Sequence, residues 1–147
     1  MRETVGSGLQ LVGRADSGGL NPVDVRAWPD GSALVVANYS GGTVAVLPFG
    51  ADGAPKLPRQ VIPLERSGAA GPSLPHGVTF DPRGRFVLIP DKGPDCVFVF
   101  ALNGAQLESV GFGPASPGSG PRHAAPHPTL PIVYAVCELA CSVQPFR

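Results

Sequence analysis

Six ionisable side chains and one amide carry most of the chemistry this 147-residue chain can offer: His76, Asp91, Lys92, Arg122, His123, Glu138 and Asn38. An imidazole or a carboxylate can take a proton from water. A guanidinium or an ammonium can hold the oxyanion that forms when that water attacks a carbonyl, and Arg122 is also well shaped to grip a phosphate through paired hydrogen bonds. The set is scattered from position 38 to position 138. It becomes a site only if the fold gathers it.

Other chemistries find no support. There is no glycine-rich phosphate loop ahead of a helix and no G-x-S-x-G nucleophile elbow, and no cofactor is expected. Cys96, Cys137 and Cys141 are an odd number without C-x-x-C spacing. A zinc site on Cys137 and Cys141 lacks two further ligands at the usual spacing, so the thiols read as buried strand cysteines in a reducing compartment. The 11 basic and 11 acidic residues cancel, which gives neither nucleic acid nor an anionic membrane a surface to bind. No apolar run approaches the roughly 18 residues of a membrane span. The N-terminus lacks the layout of a signal peptide, and the expected location is the cytoplasm.

The elements that must position these residues come from an internal repeat. Segments 22–47, 75–100 and 121–146 align almost without gaps: Pro22, Pro75 and Pro121 each stand seven residues before Pro29, Pro82 and Pro128, and nine further on come Asn38, Asp91 and Cys137. Within a unit, a short first strand (23–28, 76–80, 122–127) meets a tight turn, Pro-Asp-Gly or Pro-Arg-Gly in the first two units. A second strand follows (33–37, 86–89, 132–136). It is apolar on both faces, as a strand sandwiched between stacked sheets must be. Third strands (43–47, 96–100) and weaker fourth strands (60–64, 107–112) complete the first two units. Four antiparallel strands per period of about 45 to 50 residues is the pattern of a propeller blade. The fold class expected is all-β, a partial β-propeller of about three blades near 21–64, 75–112 and 121–147, with 9–15 as the outer strand of a preceding blade and the last blade lacking its fourth strand.

In an antiparallel blade the start of the first strand and the end of the second lie at the same edge. His76, Arg122 and His123 therefore gather on one face with Asn38, Asp91, Lys92 and Glu138, at the mouth of the central funnel. Several have a plainer alternative. Arg122 and Glu138 also read as an interstrand ion pair, His76 as a strand cap, and Asp91 with Lys92 as a solvated turn pair. His127 lies at the far end of its strand and reads as structural.

The segments NPVDV (21–25), DGSALVVANYSGGTVAVLPF (30–49), PHGVTFDPRGRFVLIPDKGPDCVFVF (75–100), GSGPRHAAPHP (118–128) and YAVCELACSVQPF (134–146) together resemble the seven-bladed lactonase family, in which 6-phosphogluconolactonases are the best-known members. The resemblance implies a metal-free hydrolase that opens a sugar lactone, with Arg122, His123, Glu138 and His76 as catalytic residues. Lys92, Asp91 and Asn38 are then candidates for substrate contact. Glu138 or a histidine serves as base, and Arg122 holds the oxyanion or a substrate phosphate. The family's usual residues differ at Asp24 (histidine), Leu74 (histidine) and Cys137 (asparagine), and Pro145 is expected to interrupt the last strand. A lactone-closing, muconate-type enzyme and a non-catalytic binding propeller are the rival readings. Because three blades leave the funnel open and two blade faces bare, the 147-residue chain alone is expected to be a poor enzyme and to self-associate through those faces.

Overall fold

A computed structural model describes residues 8–69 and 71–147. Among these residues, eleven strands form three antiparallel sheets, each a simple meander. The first sheet runs β1 (Pro22–Ala27), β2 (Ala33–Asn38), β3 (Thr43–Pro48) and β4 (Gln60–Pro63). The second runs β5 (Thr79–Phe80), β6 (Phe86–Asp91), β7 (Cys96–Asn103) and β8 (Gln106–Pro114). The third holds β9 (Pro121–Pro126), β10 (Val133–Cys137) and β11 (Ser142–Phe146). The β1–β2 and β5–β6 turns need a left-handed residue, and Gly31 (φ 75°) and Gly84 (φ 64°) supply it.

The two-residue period of the strands divides the core between sheets. Val35 and Ala37 of β2 face the second sheet and join Val87 and Ile89 of β6 in the largest cluster, with Phe98, Phe100 and Leu107. Leu88 and Val97 point the other way and pack against Ala135, Val133 and Phe146 of the third sheet. The second strands of the first two sheets are thus buried on both faces, as their unbroken apolar sequence requires. β10 is not: Tyr134 and Val136 are 37% and 43% exposed.

Three expectations are corrected. Residues 9–15 form no strand. Without a partner ladder among the described residues, this segment leads into a stretch that lies over the free face of the first sheet, where Ala15 covers Val36, Ala45 and Leu47. The first strand of the second sheet, expected over 76–80, is reduced to Thr79–Phe80. Pro75 and His76 still pair with the end of β6, but the ladder is broken between them and Thr79, where the Val78 N–H donates instead to Asp24 Oδ2 of the first sheet at 2.9 Å. Pro145 does not interrupt β11, which runs through it in register with Tyr134. β11 is an edge strand, where a missing N–H is tolerated.

Candidate active site

The register places three residues at one repeat position. In the first sheet the β1–β2 ladder slips between Pro22 and Asp24, and in the third the β9–β10 ladder slips between the Pro121 and His123 pairings. The extra residues are Val23 and Arg122. A bulge of this kind re-aims the side chain it carries. His76 stands at the same point of the second sheet, just after the Pro75–Asp91 bridge, with its N–H donating to Pro90 O at 2.9 Å.

A second repeat position follows the end of the second strand: Tyr39, Lys92 and Glu138. Each begins a four-residue turn whose last member is left-handed, Gly42 (φ 60°), Asp95 (φ 50°) and Cys141 (φ 47°). Identical turns lift the three side chains to the same edge of their blades.

The two positions meet across the blades. Lys92 Nζ lies 2.6 Å from Glu138 Oε2, and Arg122 Nη1 lies 3.1 Å from Glu138 Oε1, so one carboxylate ties two cations of neighbouring sheets. His76 packs edge-on against His123 (ring centroids 5.2 Å apart) on one side and Tyr39 (5.6 Å) on the other. Burial pulls the His76 imidazole below its ordinary pKa, and the positive charges of Arg122, His123 and Lys92 add to this. The Lys92 hydrogen bond, then the charges of Lys92, Arg122 and His76, hold Glu138 below the ordinary carboxylate value. Near neutral pH the cluster is therefore an uncharged imidazole beside a fixed carboxylate and two cations. His76 Nδ1 and Arg122 Nε are buried and make no hydrogen bond among the described residues.

His76, Arg122, His123, Glu138 and Lys92 are thus brought together as the topology requires. Asp91 and Asn38 are not part of the contact surface. Both are 0% exposed, so neither can touch a ligand, and Asp91 is not a solvated partner of Lys92. Its carboxylate accepts from the Ser73 hydroxyl, Leu74 N–H (2.7 Å) and Gly93 N–H (3.0 Å), fastening the loop that leads to His76. Burial raises its pKa against those bonds. Asn38 donates to Ser17 O and Thr43 Oγ1, both at 3.1 Å. Cys137, third in the series, is equally buried. Asn38 and Asp91 hold loops, whereas the Cys137 thiol bonds only Ala135 O of its own strand; the C-terminal neighbours Tyr39, Lys92 and Glu138 make the contacts of the cluster. His127 is structural, its Nδ1 accepting from Thr129 N–H and Leu130 N–H.

Three contributors belong to no motif in the sequence. Tyr39 shares the position of Lys92 and Glu138. Gly77 is hemmed in, since a Cβ there would lie 2.8 Å from Arg122 O and 3.2 Å from His123 Nδ1. Asp95 accepts from Gly118 N–H (2.7 Å) and Gly120 N–H (2.8 Å), which fixes the loop entering Arg122. The repeat alignment alone could have singled out Tyr39. The other two need the blades docked. A groove between the second and third sheets runs along Asp81 to Phe86 and His127 to Val133, at the opposite ends of the strands, and shares no residue with the cluster.

Stacked antiparallel meander sheets that share one charged edge define part of a β-propeller. The chain belongs to the seven-bladed β-propeller lactonase family, whose model matches residues 2–147. It is 33% identical over 136 residues to a 6-phosphogluconolactonase of Pectobacterium carotovorum, covering 86% of this chain and 37% of that protein. It is 31% identical over 131 residues to one of Bacillus subtilis, covering 85% and 37%. Among solved structures, a periplasmic gluconolactonase of Pseudomonas aeruginosa superposes with a TM-score of 0.82 at 31% identity, over 92% of this chain and 40% of that one. The chain spans about two fifths of the length of these relatives.

Proposed function

We propose that this chain carries part of the active site of a sugar-lactone hydrolase of the 6-phosphogluconolactonase type, within residues 1–147 as three consecutive blades of a propeller. The observation that carries the reading is the array in which Lys92 and Arg122 grip Glu138 beside the desolvated His76. Glu138, held ionised by two cations, is a weak proton acceptor, so His76 is the better general base. It takes a proton from water as the oxygen bonds to the lactone carbonyl carbon. The carbonyl oxygen becomes an oxyanion, which Arg122 stabilises. Collapse of that intermediate breaks the ring C–O bond, and the proton held on His76 passes to the departing alkoxide. Lys92 meets a phosphate or carboxylate on the substrate, and His123 keeps His76 in place. The partners in this reading are a small sugar lactone and, through the bare face of the third sheet, a second copy of the chain.

The names of the relatives support a place in carbohydrate metabolism, at the lactone-opening step of the pentose phosphate pathway. Three unpaired thiols support a cytoplasmic setting. Cell fractionation tests this, since one solved relative is named as periplasmic. The site itself is tested by titrating 6-phosphogluconate into the isotope-labelled chain. Resonances of His76, Lys92, Arg122 and Glu138 are expected to shift together, and Arg122→Ala to abolish the response. Shifts confined to the far rim near His127 would overturn the assignment. Tighter binding of a carboxymuconate than of 6-phosphogluconate in the same titration would replace hydrolysis with lactone closure.

A further inference from the structure

The cluster is lopsided. The second and third sheets bring Lys92, His76, Arg122, His123 and Glu138 to the funnel mouth, while the first sheet brings to the same two repeat positions only Val23 and Tyr39. Tyr39 is half-buried and its N–H donates to Asn21 O at 2.9 Å, which anchors the backbone beneath the ring. The ring stands at 78° to the imidazole of His76, an edge-on arrangement that is attractive for aromatic pairs. Its hydroxyl makes no hydrogen bond among the described residues and is not among the buried orphan groups, so it is open to solvent beside His76. A side chain whose ring is fixed and whose hydroxyl is both donor and acceptor suits a neutral polyol.

We propose that Tyr39 is a substrate-contacting residue that sets the orientation of the sugar: its hydroxyl bonds the uncharged polyol portion while the anionic end lies toward Lys92 and Arg122. This rests on the lactone-hydrolase reading of the same site. The ring also shields His76 from water, so Tyr39 assists in keeping that imidazole uncharged. A polyol oriented from the first sheet would present its carbonyl between His76 and Arg122, and the reverse orientation would place a phosphate against a neutral wall.

The test uses the full chain and two probes, 6-phosphogluconate and inorganic phosphate, with affinities read by nuclear magnetic resonance titration. Tyr39→Phe retains the ring and removes only the hydroxyl. It should weaken 6-phosphogluconate binding about five- to tenfold, as loss of one hydrogen bond does, and leave phosphate binding unchanged. Tyr39→Ala should in addition raise the pKa of His76, read from its ring proton shifts, as water reaches the imidazole. Equal weakening of both probes would show a merely structural role, and no weakening of either would remove Tyr39 from the contact surface; each overturns the proposal while leaving the site in place. Binding of neither probe by the unsubstituted chain would overturn the site reading and this proposal with it.

Discussion

His76 is the residue on which the chemistry and a measurable pH effect coincide. Its folded-state pKa lies below the ordinary histidine value because burial disfavours the cation. As pH falls through about 6.5 the unfolded chain takes up this proton first, so the contribution is full above that value and is lost toward the depressed native pKa. The urea midpoint of the native chain should therefore fall relative to that of His76→Gln between pH 7.5 and pH 5.5; parallel midpoints would deny the desolvation. The thiols give a second expectation. Cys96 is buried, and its pKa is pushed up to about 12 by burial and by Asp91, while Cys141 is exposed. A thiol reagent at pH 8 should label Cys141 rapidly and Cys96 only after unfolding, because the thiolate is the reacting form. At this scale the sequence showed which residues carry charge but not which of two neighbours points inward. Asp91 and Lys92 are adjacent, and only the turn geometry decides that the lysine meets Glu138 of the next sheet and the aspartate is buried. Tyr39 has no charge to mark it, though it holds the same repeat position as Lys92 and Glu138.

Elements position the site through contacts between blades rather than within them. Gln60 of β4 makes paired bonds with the backbone of Leu107 in β8, donating to its carbonyl and accepting from its N–H, both at 2.9 Å. Gln60→Ala strands both groups and should cost about 1–3 kcal/mol in equilibrium unfolding, with the ligand response of His76 kept because the clamp lies at the outer strands. Gly77→Ala is the opposite case. The new methyl would stand 2.8 Å from the Arg122 carbonyl oxygen, forcing the β9 backbone away from His76. The expected result is a loss of 6-phosphogluconate binding larger than the accompanying loss of stability; unchanged binding would show that the funnel edge is pliant. Strand order and turns were legible because apolar runs, Pro-x-Gly turns and the repeat all pointed the same way. The shortening of β5 was not, since it follows from Asp24 of one blade taking the N–H of Val78 in the next, a bond that no local pattern encodes.

At the scale of the whole molecule the two outward faces differ, although the repeat makes them alike in sequence. On the first sheet Val36, Ala45 and Leu47 are nearly inaccessible (6%, 0% and 4%) because Ala15 and its neighbours lie over them, whereas on the third Tyr134, Val136 and Val143 are 37%, 43% and 62% exposed. The symmetrical expectation of two bare faces thus holds for one. A contiguous apolar sheet face of this kind is rare on a monomer and promotes association. On the proposed reading, three blades by themselves wall a bound lactone from one side, so water would be poorly excluded. Turnover by the 147-residue chain should accordingly stay close to the spontaneous rate even where product binding is measurable. Association and turnover can be separated by Val136→Glu. The side chain is exposed and makes no contribution to the buried clusters, so the charge should cost little stability. Each copy placed face to face would nevertheless have to bury an unpaired carboxylate, at a cost of several kcal/mol. Sedimentation of the native chain is expected to show mass rising with concentration, and Val136→Glu to hold it at the monomer without moving the melting temperature. A rising mass that survives the substitution would place the contact elsewhere on the molecule, and a native chain that remains monomeric throughout would show that the third sheet tolerates water on its apolar face.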